Sequence, residues 1–292
     1  MLAAVQAGPS INVAGLASET VLLVGGVAAL AWQIKRNRRE APTGVEPWRA
    51  TLLDFGIWVW VVCCGLYVGV NALRAIDPDV NQPAPGGANV LLLGSVAQAS
   101  ALAAQLGLLW YKRPFSPRPL NSGPLPARRV VGEAAWAWLA AYPIIAGASL
   151  GWQLLLGLAQ KIWLHLETPP QEAVKILAQS TSGAENILLI LFAVLVAPVT
   201  EELFFRAGLY RFLKSRLPEN AAMVAASFLF ALSHLNLESF LPLLVLGILL
   251  TKLYERTGHI AAPVLFHALF NLTTILLMLL FPESSLSLQP TS

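Results

Sequence analysis

The sequence predicts an all-α polytopic membrane protein with about eight transmembrane helices. Hydrophobic residues make up 56% of the 292-residue chain, whereas Asp, Glu, Lys and Arg together make up only 12%. A soluble domain contains about 25% charged residues, so this chain has roughly half of the charge that a water-facing surface needs. This composition excludes intrinsic disorder and nucleic-acid binding, and the presence of only two cysteines excludes a disulfide scaffold.

Eight apolar stretches approach the length of about 20 residues with which a helix crosses the hydrocarbon core of a bilayer. The sixth and seventh stretches are the shortest, and an apolar-rich loop at 234–238 separates them. Aromatic residues lie at several of the span ends, as is typical of the membrane interface. The predicted spans are 11–34, 52–73, 90–111, 133–158, 186–205, 220–236, 240–254 and 259–281.

The distribution of basic residues predicts the orientation of these spans, because cytoplasmic loops contain an excess of Lys and Arg. When the loops are assigned alternately to the two sides, sixteen of the nineteen Lys and Arg residues fall on one side. Only Arg74, Lys161 and Lys175 fall on the other side. We therefore predict that both termini lie outside. The N-terminus has no basic region or cleavage site of a signal peptide, so we expect the first span to be retained.

Ionisable residues within membrane spans are costly, and in this chain they concentrate in the second half. They follow an apolar run in the fifth span and recur in the sixth and eighth spans. They are Glu201, Glu202, Arg206, His234 and His267, with Asn271 beside them.

The spacing of these residues assigns one polar stripe to each of three helices. Side chains four residues apart share a helix face, whereas neighbouring residues point about 100° apart, so Glu201 and Glu202 address different targets. If the three stripes converge, they form a compact site with a carboxylate, two imidazoles and an amide. The four-residue spacings are Glu202 to Arg206, Phe230 to His234 and His267 to Asn271.

Two prolines lie close to the polar residues. Pro198 comes three residues before Glu201, and Pro263 four residues before His267. Each removes a helix hydrogen bond, so we expect kinks that leave room for water between helices. The rise of 1.5 Å per residue places His267 about 12 Å and His234 about 20 Å from the predicted cytoplasmic edge. Tilted helices, or a sixth span that enters later, are needed to bring the two imidazoles to one height.

On these residues the chain resembles the CPBP family, which comprises the type II CAAX prenyl proteases and the bacteriocin-processing or immunity proteins of the Abi group. The resemblance covers about residues 186–280 and includes all three motifs in the family's order. The motifs are Glu201-Glu202-x-x-x-Arg206, Phe230-x-x-x-His234 and His267-x-x-x-Asn271.

The resemblance implies an intramembrane endopeptidase and a role for each motif residue. Glu201 would be the general base, and His234 would help it to position and polarise the attacking water. His267 and Asn271 would stabilise the oxyanion, which agrees with the capacity of both side chains to donate hydrogen bonds. The remaining motif residues, Glu202 and Arg206, would form a supporting pair.

A zinc ion is the alternative to direct water activation. Two histidines and a glutamate could supply three ligands of a catalytic zinc site, and these would be Glu201, His234 and His267. The i, i+4 histidine pair of an HExxH helix is absent from the motifs, however. Water activation by glutamate and histidine accounts for every motif residue, so we favour a site without a metal or other cofactor.

The proline-rich loop at 112–129 is the predicted boundary between two regions. Residues 1–129 are expected to form an N-terminal transmembrane region of about three helices with a basic linker. Residues 130–282 are expected to form the protease-like core, and 283–292 a polar tail.

The expected substrate is a membrane-embedded or lipidated peptide, and the expected location is a bacterial inner membrane, where lipid surrounds the protein. In that setting leader peptides and membrane-protein segments are favoured over prenylated substrates. Two other functions share the same helices. One is a non-catalytic immunity or binding protein, and the other is a small proton-coupled transporter, although the polar residues crowd one half of the chain instead of both.

Overall fold

The computed structural model describes residues 13–37, 42–82, 88–111, 125–162, 187–188 and 190–280. Both chain ends, the predicted polar tail, most of the proline-rich loop and Lys175 lie outside these residues. Within them the chain forms helices and no β-strand element. The predicted all-α membrane fold is therefore confirmed. Four helices come first, namely α1 (Val13–Asn37), α2 (Leu52–Ile76), α3 (Ala88–Tyr111) and α4 (Ala127–Ile162).

Four more helices follow in the part of the chain that the structure describes after residue 190. Helix α5 is a continuous helical run from 192 to 214, and α6, α7 and α8 follow after short connections. The segments of α5 are Phe192–Val196, Ala197–Glu202, Leu203–Tyr210 and Arg211–Lys214, and the later helices are α6 (Glu219–Ser233), α7 (Phe240–Thr257) and α8 (Ala261–Leu280).

Among the described residues, five helices are long and apolar enough to cross a membrane, so the chain is an integral membrane protein. Helices α5, α6 and α7 do not meet the same measure, and the predicted count of eight spans is not confirmed. Helix α6 has 15 residues and is about 22 Å long, short of the roughly 30 Å of a hydrocarbon core. The five spans are Ala14–Arg36, Leu52–Ile76, Leu92–Tyr111, Ala127–Ile162 and Ala261–Leu280.

Helix α5 departs from regular α-helix because its ladder changes register three times. Phe192–Val196 and Leu203–Tyr210 are π-helical, and the α-helical segment Ala197–Glu202 lies between them. The N–H of Ala197 donates to the carbonyl of Phe192, a π-type bond. Pro198 has no N–H to continue that register, so the change of ladder occurs where the proline was predicted to distort the helix.

The kink predicted at Pro263 is wrong. Helix α8 begins at Ala261, so Pro263 is its third residue. The first four N–H groups of a helix have no partner within the helix, and a proline there removes no hydrogen bond.

The core lies where α4 to α8 pack together. One buried apolar cluster contains Phe230 of α6, Leu246 and Leu250 of α7, Ala141 of α4 and Phe266 of α8. Around this cluster the outer faces of the helices expose large apolar side chains, as expected of surfaces that face lipid.

The N-terminal helices pack on this core at two places. Helix α1 approaches α4 at Gly26, where a Cβ atom would lie 2.5 Å from the ring of Pro143. The α2–α3 hairpin approaches α5, where the Trp58 ring stacks on Phe204 at 4.9 Å between ring centroids. Trp58 also covers Gly208 so closely that a Cβ atom there would lie 2.0 Å from the indole.

The connection from α1 to α2 lies across the ends of α5 and α7. The N–H of Gly44 donates to the carbonyl of Glu255 at 2.7 Å, and the N–H of Val45 to its carboxylate at 3.1 Å. The N–H of Trp48 donates to the carbonyl of Arg211 at 2.9 Å. The two bonds to carbonyls satisfy acceptors near helix ends, and all three bonds hold the connection against the core.

Candidate active site

The Glu201 carboxylate lies between two imidazoles. Its Oε2 atom is 4.0 Å from His234 Nε2 and 4.0 Å from His267 Nε2. Oε2 is buried and has no hydrogen-bond partner among the described residues. Because both nitrogens exceed hydrogen-bonding distance from Oε2, neither imidazole bonds this carboxylate oxygen directly.

Both histidines are oriented by hydrogen bonds at Nδ1. His234 Nδ1 lies 2.8 Å from the carbonyl oxygen of Phe230, and His267 Nδ1 lies 2.9 Å from Glu202 Oε1. A carbonyl or carboxylate oxygen only accepts, so each Nδ1 carries the proton. Each ring therefore presents Nε2 to Glu201, which fixes the chemically active nitrogen of both side chains.

Glu202 and Arg206 form the predicted pair along one face of α5. Arg206 donates from one terminal nitrogen to Glu202 Oε1 at 2.9 Å and from the other to the carbonyl of Gly247 at 3.2 Å. Both side chains are at most 1% exposed. Glu202 Oε1 therefore accepts from both Arg206 and His267, and the guanidinium neutralises a carboxylate that would otherwise be costly to bury.

Phe230 connects the three polar groups. Its ring centroid lies 4.9 Å from that of His234 and 5.9 Å from that of His267. The guanidinium carbon of Arg206 lies 4.4 Å from the same ring centroid. The fully buried ring thus packs against two imidazoles and one cation, and it limits the positions that those side chains can adopt.

Asn271 lies one turn beyond His267 on α8, and its amide binds the backbone of α5. Its Nδ2 atom donates to the carbonyl of Ala193 at 2.7 Å. In the π register the partner of that carbonyl would be the N–H of residue 198, which is Pro198. The amide therefore satisfies a carbonyl that the proline leaves without a ladder partner. The sequence analysis missed this bond, although Pro198 was the signal for it.

The two imidazoles lie close together, despite the different depths counted along the sequence. His234 is the residue after α6 ends, and His267 is the seventh residue of α8. The count assumed that both helices begin at the same membrane edge. Since both Nε2 atoms are 4.0 Å from one oxygen, the two helices begin at different levels or tilt relative to each other.

The loop after His234 is strained and partly exposed. Leu235 has a φ of 49°, the left-handed region that is unfavourable for a side chain with a Cβ atom, and is 90% exposed. Trp152 of α4 donates from its indole nitrogen to the carbonyl of Leu237 at 2.7 Å and holds the loop. Burial raises the pKa of the nearby Glu238 carboxyl, since the charged form is less well solvated there.

The spacing of the three central residues is wider than that of ligands around a bound zinc ion. A tetrahedral zinc ion with bonds of about 2.0 Å would bring its ligand atoms to about 3.3 Å from one another. Here the two nitrogens are each 4.0 Å from Glu201 Oε2. Among the residues that the structure describes, no group of three or more His, Cys, Asp or Glu side chains is arranged to hold a metal.

The same spacing fits a water molecule. A water oxygen about 2.8 Å from each of two atoms that are 4.0 Å apart forms an angle of about 90° with them, which is acceptable for a bridging water. The side chains of Glu201 and His234 are 20% and 24% exposed, whereas Oε2 itself is buried, so a small movement of the surrounding side chains would admit a water. The arrangement is therefore suited to hold a water between a carboxylate and an imidazole.

Comparison with known proteins agrees with this region of the chain. A model of the family described as Type II CAAX prenyl endopeptidase Rce1-like matches residues 183–273, about a third of the chain. The match includes all three motifs and confirms the CPBP resemblance for this segment. Neither a protein of curated function nor a solved structure matches the chain.

Proposed function

We propose that the protein is an intramembrane endopeptidase, because residues 183–273 match the model of the family described as Type II CAAX prenyl endopeptidase Rce1-like. It hydrolyses a peptide bond of a membrane-embedded or lipidated peptide. The observation that supports this most is the unpartnered, buried Oε2 of Glu201, with an imidazole nitrogen 4.0 Å away on two sides. A carboxylate in this setting serves as a general base for water.

In the first step, water bridges Glu201 Oε2 and His234 Nε2. Glu201 accepts a proton from the water, and the water oxygen bonds to the scissile carbonyl carbon. His234 accepts the second hydrogen bond of the water and orients its lone pair, because its own proton is held at Nδ1 by the Phe230 carbonyl. Two acceptors on one water thus select a single direction of attack.

The carbonyl oxygen becomes an oxyanion, which needs donors. His267 in its protonated form keeps one N–H on the Glu202 carboxylate and turns Nε2–H toward the substrate oxygen. Asn271 uses one amide N–H for the Ala193 carbonyl and has a second for the oxyanion. When the C–N bond breaks, Glu201 transfers its proton to the departing amine, so the carboxylate and the proton count return to their starting state.

Glu202 and Arg206 hold this arrangement without contacting the substrate. Glu202 orients His267 as a carboxylate orients the histidine of a catalytic triad. Arg206 balances its charge and ties α5 to the backbone of α7 at Gly247. We propose that the reaction needs no metal, because Glu201, His234 and His267 are too far apart to share one ion without moving.

Substrates of this site reach it from the bilayer. The surrounding helices expose apolar faces to lipid, so a substrate with a hydrophobic segment or a lipid group can approach in the membrane plane. We propose a bacterial inner-membrane location with both termini outside, and leader peptides or membrane-protein segments as substrates.

The experiment uses the full chain in proteoliposomes with two fluorogenic probes, a farnesylated CAAX peptide and a single transmembrane-segment peptide. We expect the wild-type protein to cleave at least one probe, and Glu201→Gln to lose at least about 100-fold in kcat. Glu219→Gln is the matched control, because this carboxylate on α6 is half exposed and pairs with Lys214. Equal cleavage by Glu201→Gln and wild type, or cleavage of neither probe, would contradict the proposed function.

A further inference from the structure

Gln105 of α3 contacts the helix that contains Glu201. Its side chain is 1% exposed, and its Nε2 atom donates to the carbonyl of Thr200 at 3.3 Å. Thr200 is the residue before Glu201, so the accepting carbonyl belongs to the peptide group whose nitrogen is that of Glu201. Gln105 lies 95 residues before Thr200 in the chain and belongs to none of the three motifs.

The backbone at this point has an irregular hydrogen-bond ladder. The N–H of Leu203 is shared between the carbonyls of Thr200 and Val199, at the change from α-helix to π-helix. A regular ladder would fix the direction of each peptide group, whereas a shared bond at a register change fixes it less firmly. The amide of Gln105, a donor from another helix, adds a constraint on the Thr200–Glu201 peptide group.

Burying the amide of Gln105 costs free energy. Its Oε1 atom is buried without a hydrogen-bond partner among the described residues. Burying an unpaired amide oxygen destabilises a protein, and Met or Leu would fill the same space among Trp58, Leu109 and Leu203 without that cost. The presence of an amide at this position indicates a role for its N–H group.

Helix α3, which contains Gln105, is held in place by close packing against α2. The α2–α3 hairpin is packed together at Gly69, where a Cβ atom would lie 2.1 Å from the Ser100 hydroxyl. The same hairpin stacks Trp58 on Phe204 of α5. Movement of Gln105 relative to Glu201 therefore requires the hairpin to separate from α5.

We propose that Gln105 is a positioning residue for the Glu201 carboxylate. It holds the Thr200–Glu201 peptide group, and thereby keeps Oε2 at equal distance from the two imidazoles. Gln105 lies outside the family segment 183–273, so an N-terminal helix of this chain takes part in the geometry of the site. The inference rests on the proposed function, because its effect is on the rate of hydrolysis.

The experiment replaces the amide without changing the length of the side chain. In the proteoliposome assay with the same two peptide probes, we expect Gln105→Met to lower kcat about five-fold or more, the equivalent of one neutral hydrogen bond, while KM stays unchanged and the unfolding temperature does not fall. The matched control is Gln98→Met, two turns away on the same face of α3 and half-buried. We expect this control to keep the wild-type kcat.

The outcomes separate this inference from the proposed function. Normal kcat in Gln105→Met, while Glu201→Gln is inactive, would overturn the positioning role alone. A fall in kcat that matches a fall in the folded fraction, or an equal fall in Gln98→Met, would also overturn it. Wild-type activity in Glu201→Gln would overturn the proposed function instead.

Discussion

Glu202 is the residue on which the polar side chains of the site depend. One carboxylate oxygen accepts hydrogen bonds from both Arg206 and His267, and the side chain is 0% exposed. Breaking one partner of a buried ion pair leaves an uncompensated charge, which costs more than the pair contributes. The pair is therefore a sensitive test of the arrangement around His267.

We expect Arg206→Met to lower the free energy of unfolding by about 3–5 kcal/mol, because the Glu202 carboxylate stays buried without its cation. Adding Glu202→Gln to that variant should recover part of the loss, since the unpaired charge is then removed. The measurement is reversible unfolding in detergent micelles, followed by tryptophan fluorescence.

The control for this pair is Lys252→Met on α7, where the lysine is exposed. Its change should stay within about 0.5 kcal/mol. A loss of unfolding free energy in Arg206→Met no larger than that of the control would contradict the buried pair. A double variant that is clearly less stable than Arg206→Met would contradict it as well.

At the scale of the elements, the irregular helix α5 determines which side chains meet. Its first π-helical segment leaves the Ala193 carbonyl without a ladder partner at Pro198, and Asn271 of α8 supplies the hydrogen bond. The motif residue Asn271 thus has a structural partner in addition to its proposed role toward the oxyanion. The bond joins α5 and α8, which supply Glu201 and His267.

A double-mutant cycle tests this relation. We expect Asn271→Leu to destabilise the protein by about 1–3 kcal/mol, because the partly buried Ala193 carbonyl loses its donor. In a Pro198→Ala background the backbone regains an N–H at position 198, so the cost of Asn271→Leu should fall by about 1 kcal/mol. Unfolding of the four proteins in detergent gives the coupling energy directly. Strictly additive changes would show that the proline and the amide do not share this carbonyl.

The local pairings could be predicted from the sequence, and the pairings between distant segments could not. The four-residue spacing of Glu202 and Arg206 predicts their contact, because helix geometry alone brings the two side chains together. The partner of Asn271 depends on the ladder register at Pro198, which residue spacing does not reveal. The contact of Gln105 with Thr200 joins segments 95 residues apart, and no local rule of residue spacing selects that pair.

At the scale of the whole molecule, the N-terminal helices are part of the structure that surrounds the site. Trp58 of α2 is 4% exposed and packs against both Phe204 and Gly208 of α5. The sequence analysis placed a region boundary at 129, and that division remains a prediction. The contacts nevertheless show that residues before this boundary pack directly on the helix that contains Glu201.

The docking of α2 on α5 predicts the effect of one added methyl group. We expect Gly208→Ala to destabilise the protein by about 1–3 kcal/mol, because the Cβ atom would lie 2.0 Å from the buried Trp58 ring, which stacks on Phe204. Thermal unfolding in detergent measures the change. Trp58→Leu should relieve the clash, so the double variant should lose less from Gly208→Ala than the wild-type protein does.

Gly107→Ala on α3 and Gly132→Ala on α4 are the matched controls, since a Cβ atom at either position meets nothing within 4 Å. Both should be neutral or stabilising, because alanine favours helix over glycine. A Gly208→Ala variant as stable as these controls would contradict the close packing of α2 on α5.

The most direct test of the central claim is the cleavage rate of the metal-free protein. The claim is that Glu201 activates water between the imidazoles of His234 and His267 by proton transfer alone. The protein is dialysed against a strong chelator until elemental analysis finds far less than one zinc ion per chain. We predict that its kcat on the cleaved probe is unchanged. Loss of activity that returns only when stoichiometric zinc is added would contradict the account.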